Sequence, residues 1–187
     1  MLKYGVNSNF ELRLITEYLG TTVKRPEVPG THAAGFSPLA LGLKVKLAEE
    51  KGFWPQAALI GHIELKSGSH EFKSPNTTTN FRFTFSNTLS DAWSLSYNLG
   101  AAWSGENPEA TFLYTLSVGY SINKKLAAFA EAYSFFPERS KADNRVDGGF
   151  TYKFSPVVQF DVSGGLGLSE NAPDYFLSTG LSMRFFK

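Results

Sequence analysis

Phe81-Arg82-Phe83-Thr84-Phe85-Ser86 alternates an aromatic with a polar residue, and this period decides the fold class. Successive side chains of a strand point to opposite faces, whereas a helix would bring every third or fourth residue together. The same period of two runs through Leu39-Ala40-Leu41-Gly42-Leu43-Lys44-Val45-Lys46-Leu47 and Trp93-Ser94-Leu95-Ser96-Tyr97-Asn98-Leu99. Eleven such segments can be marked, at about 2–6, 10–22, 39–48, 56–67, 79–86, 92–104, 111–122, 126–136, 145–154, 157–168 and 175–186. The nine prolines fall in the gaps or at strand edges, where a missing N–H does no harm.

The gaps alternate in length. Short ones lie near Asn7–Asn9, Glu49–Trp54, Asn87–Asp91, Asn123–Lys125 and Ser155–Pro156. Longer polar ones lie near Val23–Pro38, Gly68–Thr78, Gly105–Ala110, Pro137–Asn144 and Ser169–Asp174. Short turns at one end and long loops at the other are the layout of a transmembrane barrel, and a soluble sandwich has no reason to keep it. The fold class expected is therefore all-β, an antiparallel up-and-down transmembrane β-barrel. No apolar run approaches the ~18 residues a membrane helix needs. With no linker-like stretch, residues 1–187 are expected to form one domain.

Alternation alone does not say which face meets water. An apolar face turned outward to lipid puts Leu39, Leu41, Leu43, Val45 and Leu47 outside, with Phe112, Tyr114, Leu116, Val118 and Tyr120. The lumen then receives Glu11, Arg13, Glu17, Lys44, Lys46, His62, Glu64, Lys66, Arg82, Glu131, Asp147, Lys153, Asp161 and Arg184. In a soluble β-protein the assignment would be reversed. Aromatic placement favours the membrane: Trp93 and Trp103 stand on one face near the two ends of one segment, as do Tyr175 and Phe185. Ten residues at ~3.3 Å each, tilted by ~40°, cover about 25 Å, the height of a barrel's apolar band. With Tyr120 these four are expected in the aromatic girdles, against outer-membrane lipid as partner.

Parity adds an expectation. With the short turns in the periplasm, the first and last segments run the same way, whereas bacterial single-chain barrels have even strand numbers. Eleven strands of an expected twelve are therefore present, with at least one strand upstream. A gap or a weak parallel seam is expected between Leu2–Val6 and Tyr175–Phe186. The opening Met1-Leu2-Lys3-Tyr4-Gly5-Val6-Asn7 has no apolar core of a signal peptide.

Catalytic chemistry finds little to work with. The three histidines are His32, His62 and His70, and no serine is marked as a nucleophile for any of them. His62 and Glu64 could share a metal, but no other ligand is indicated. Cysteine is absent, which excludes a disulfide framework and thiolate metal sites. The glycines of Gly164-Gly165-Leu166-Gly167 lie in a strand pattern and suggest close packing, not a phosphate loop. Eighteen basic and seventeen acidic residues spread along the chain leave no basic stripe for nucleic acid. No cofactor, metal or catalytic residue is expected. Opposite signs on neighbouring segments, at Glu11, Arg13, Lys44, Glu64 and Arg82, suggest ion pairs across strands inside the lumen.

Leu2-Lys3-Tyr4-Gly5-Val6-Asn7-Ser8-Asn9-Phe10-Glu11-Leu12-Arg13-Leu14 resembles the opening hairpin of outer-membrane proteins grouped under a phenol meta-pathway degradation label, often called transporters. Val146-Asp147-Gly148-Gly149-Phe150-Thr151-Tyr152, Gln159-Phe160-Asp161-Val162-Ser163-Gly164-Gly165, Asp174-Tyr175-Phe176 and Ser182-Met183-Arg184-Phe185 carry the likeness to the end. The resemblance implies a bacterial outer-membrane location and passage of small molecules, including aromatic ones. A non-conducting barrel for surface binding or support is the alternative, and an outer-membrane enzyme comes third.

Overall fold

A computed structural model describes residues 1–25 and 28–185, with the side chains of 21–31 left aside. Among the described residues there is no helix. The strands are β1 (Leu2–Gly5), β2 (Phe10–Ile15), β3 (Tyr18–Arg25), β4 (Val28–Phe36), β5 (Ala40–Ala48), β6 (Gln56–Glu64) and β7 (Thr78–Thr88). They continue with β8 (Trp93–Trp103), β9 (Thr111–Ser121), β10 (Leu126–Phe136), β11 (Asp143–Ser155), β12 (Val158–Gly167) and β13 (Tyr175–Met183). Eleven of them form one sheet in the order β1-β2-β5-β6-β7-β8-β9-β10-β11-β12-β13, and β3 with β4 forms a separate hairpin. Every neighbouring pair is antiparallel. Strands β1 and β13 are the two edges, with no ladder joining them among the described residues.

The eleven expected segments correspond to the eleven strands of the sheet, with one correction. The segment expected at 10–22 breaks at Thr16 and Glu17, and the supposed loop Val23–Pro38 contains β4. Strand β2 leaves the sheet where its partner ends, at Ile15 opposite Ala40. The chain then rises into the hairpin, whose neck is clamped twice. Ser37 N–H donates to Glu17 O at 2.8 Å, and Glu17 N–H donates to Ser37 Oγ at 2.9 Å. Pro29 and Gly30 signal a loop in the sequence, but a two-stranded hairpin has free edges on which a proline is harmless.

The short turns are made by side chains that imitate backbone. Asn123 Oδ1 accepts from Lys125 N–H at 2.8 Å and from Leu126 N–H at 3.0 Å, and Asn7 Oδ1 accepts from Asn9 N–H at 2.8 Å. Such Asx turns close a hairpin in very few residues. Between β5 and β6, Gly52 at φ 59° supplies the left-handed step that other residues avoid.

Packing runs opposite to that of a soluble domain. Among the described residues the buried apolar ones are Ala40, Ala58, Ala101 and Leu113, too few to form a core. Large side chains stand outside: Leu177 is 82% exposed, Phe112 62% and Phe150 52%. The surface measures 13123 Å², whereas a soluble globule of 20.6 kDa would expose about 8,900 Å². So large an apolar exterior in water would aggregate; in lipid it costs nothing. The register makes the band continuous, since Leu12, Leu43, Gly61, Phe81, Ala101, Phe112 and Phe136 occupy one row. Leu43 and Leu116 lie mid-strand on this face. Leu43→Arg or Leu116→Arg should destabilise the barrel by about 2–4 kcal/mol, read by unfolding in lipid vesicles. Parent-like stability of either variant would overturn the outward assignment.

Candidate functional site

The residues alternating with the apolar band form the other face. Pairing across β1 to β12 puts Glu11, Arg13, Lys44, Lys46, His62, Glu64, Arg82, Glu131, Asp147, Lys153 and Asp161 together on it. Three residues expected beside them stand beyond the ladders. Glu17 is in the neck of the hairpin, Lys66 follows the end of β6, and Arg184 follows the end of β13. Arg184 N–H still donates to Val157 O at 2.8 Å. Trp93 and Tyr120 meet at one rim with ring centroids 4.6 Å apart, at the short-turn end. Trp103 stacks on Phe81 near the long loops, where Tyr175 opens β13. Phe185 lies past the end of β13 and is 85% exposed.

At the short-turn end the polar face lines a half-open cavity of about 430 Å³, bounded among others by Glu11, Lys44, Lys46, Gln56, Thr84 and Asn98. Ion pairing on this face differs from expectation. Arg13 Nε donates to Glu11 Oε1 at 2.8 Å along its own strand, and Arg145 grips Asp143 with two nitrogens in the same way. Among the described residues Lys44, Glu64 and Arg82 make no ion pair, so the expected cross-strand network is absent there. Lys44 stands opposite Glu11, which Arg13 has taken, and for Arg82 and Glu64 the register supplies the reason. The direct partners of Arg82 are Ile60 and Gly100, and those of Glu64 are Ala40 and Thr78. Arg145 and Asp143 escaped the sequence-based selection although they share the parity of Asp147. Arg145 also lies over the rings of Phe135 and Tyr133, at 5.4 and 5.9 Å from their centroids.

Glycines make room for the long side chains. Gly42 faces His62, Gly100 faces Arg82, Gly165 faces Asp147 and Gly180 faces Asp161. A Cβ at Gly42 would stand 2.8 Å from His62 Nε2 and closer still to its Cδ2. His62 is held on its other side, with Nδ1 3.1 Å from Asn80 Oδ1, while its Nε2 is buried with no hydrogen-bond partner. Asn98 donates to Thr115 Oγ1 at 2.5 Å on the same face. No serine hydroxyl is paired with His62, and no group of metal-ligating side chains occurs among the described residues.

A family model described as "Putative MetA-pathway of phenol degradation" matches residues 2–185. The chain belongs to this family. Its fold is that of an outer-membrane channel: a crystallised outer membrane channel from Pseudomonas putida F1 superposes with a TM-score of 0.69 at 12% identity. The match covers 96% of this chain and 78% of that one. No curated protein matches the chain. For a member of the phenol-degradation family, the glycine-backed packing inside the barrel is open to direct measurement. Gly42→Ala should cost about 1–3 kcal/mol by overpacking against His62. In a His62→Ala background the same change should cost far less, a coupling that a double-mutant cycle in urea would read.

Proposed function

We propose that this chain forms a channel of the bacterial outer membrane, passing small molecules by passive or facilitated diffusion and catalysing no reaction. The observation that carries this reading is the division of one sheet into an outer face of exposed apolar side chains and an inner face that carries the charged residues and lines a half-open cavity. Lipid meets the first face and water the second. The family's description, with its reference to phenol degradation, makes small aromatic compounds the first solutes to test. The fold likeness supports a channel at the level of architecture. An open lumen of roughly eleven strands lies between barrels plugged by their own side chains and wide aqueous pores.

Insertion into planar bilayers should give discrete conductance steps, and proteoliposomes should swell in benzoate and in a small sugar such as arabinose. Swelling faster in benzoate than in sugar supports the aromatic preference. An inserted, folded barrel with neither conductance nor swelling would leave the non-conducting role of surface binding or support.

A further inference from the structure

The charges of the inner face are sorted by strand. Two pairs neutralise themselves: Arg13 with Glu11, and Arg145 with Asp143. Lys46 is occupied by Glu49 at 2.5 Å. Within the strands this leaves Lys44 and Arg82 on one side of the sheet order and Glu131, Asp147 and Asp161 on the other, none in an ion pair among the described residues. Lys44 is the middle residue of β5 and Glu131 the middle residue of β10. Arg82 lies in the central part of β7 and Asp147 in the half of β11 nearer the long loops. Glu64 and Lys153 break the sorting, but Glu64 ends β6 and Lys153 stands near the end of β11, by the mouths.

In sheet order the two basic residues occupy the third and fifth strands and the three acidic ones the eighth, ninth and tenth. Rolled into the barrel of this fold, strands five or six places apart face each other. Eleven strands ~4.8 Å apart and tilted by ~40° enclose a cylinder about 20 Å across between backbones. The acidic pair is also costly: Glu131 and Asp147 are direct cross-strand partners, an arrangement of like charges that weakens a sheet. Asp147 backs onto Gly165, and its Oδ1 is buried with no hydrogen-bond partner. A filling that served only to stabilise the wall would have mixed these signs.

We infer that Lys44 faces Glu131 and Asp147, and Arg82 faces Asp161, across the lumen, and that they set up a transverse electric field there, which favours small solutes with separated positive and negative ends. The inference rests on the channel reading above. A zwitterion can turn its carboxylate to the basic wall and its ammonium to the acidic wall, whereas a neutral molecule of equal size gains nothing. Field lines are concentrated in a narrow cleft with low-dielectric walls, so the preference survives some water in the lumen.

Glycine and its neutral isomer glycolamide provide the test, as proteoliposome swelling corrected for protein-free vesicles. At ~10 mM salt, where screening reaches only over ~30 Å, the full chain should pass glycine at least about twofold faster than glycolamide. In ~1 M salt, with a screening length of ~3 Å, the ratio should approach one without any mutation. Lys44→Gln with Arg82→Gln, or Glu131→Gln with Asp147→Asn and Asp161→Asn, should each abolish the preference. The two sets should shift the reversal potential in a KCl gradient in opposite directions. Equal passage of the two isomers by a conducting parent at low salt overturns the transverse field and leaves the channel intact. A folded parent that conducts nothing overturns the channel reading, and the field with it.

Discussion

Hydrocarbon offers no hydrogen bonds, so a chain that meets lipid on one face must satisfy its backbone internally, and a closed ladder of strands is one of two ways to do so. In this protein the antiparallel ladders run without a break from β1 to β13, and the other features follow from keeping them paired. The two irregularities in the sheet, between Lys46 and Ala48 and between Lys153 and Ser155, sit at the short-turn end and not at mid-height. There a displaced amide can reach water or a turn residue. The turns themselves spend side-chain oxygens of Asn7, Ser90 and Asn123 on backbone N–H groups that would otherwise be left over. The one excursion from the sheet, the β3–β4 hairpin, happens at the long-loop end, where its free edges have access to water.

With the outer face fixed as apolar, chemical variety is confined to the inner one. Within it, geometry decides which charges can meet. Residues two apart on a strand share a face, and the flexible reach of arginine is enough to join Arg13 to Glu11 and Arg145 to Asp143. Across strands the positions flanking arginine are often taken by glycine, as Gly42 beside Arg13 and Gly167 beside Arg145. A glycine offers space for the side chain to lie over the wall, but no acceptor. Pairing along strands and vacancy across them are two consequences of one packing rule.

The sequence made the sheet legible because lipid imposes a strict period of two on every strand that crosses it. Phe81 to Phe85 or Phe112 to Tyr120 could hardly be read otherwise. What escaped was the part without that constraint. Strand β4, Val28-Pro29-Gly30-Thr31-His32-Ala33-Ala34-Gly35-Phe36, has no alternation, and its Pro and Gly signal a turn. Glu17 and Lys66 were drawn into the inner-face set by extending a period past the residues where the strands end. Arg145 opens the segment at 145–154 without its partner, because Asp143 lies two residues before that segment begins. Ion pairing was not legible at all, because choosing between Glu11's neighbour along the strand and its partner Lys44 across it requires side-chain geometry.

The distribution of glycine could have decided the direction of curvature before any coordinates. Side chains on the concave face of a rolled sheet converge, and those on the convex face diverge, so bulk belongs outside and small residues inside. Gly5, Gly42, Gly100, Gly119, Gly149, Gly165, Gly167 and Gly180 share the parity of the charged residues. Only Gly61, Gly148 and Gly164 of the sheet share that of the aromatics. Phe129 shows the rule at its clearest: an aromatic on the inner face, it stands between Gly119 on one side and Gly149 on the other. A soluble barrel with the apolar face inward would need the reverse, with glycines among the leucines and phenylalanines to let them converge. Their placement opposite His62, Arg82 and Asp161 therefore argues for a polar interior independently of loop lengths and girdles, and it does so from residue identity and parity alone.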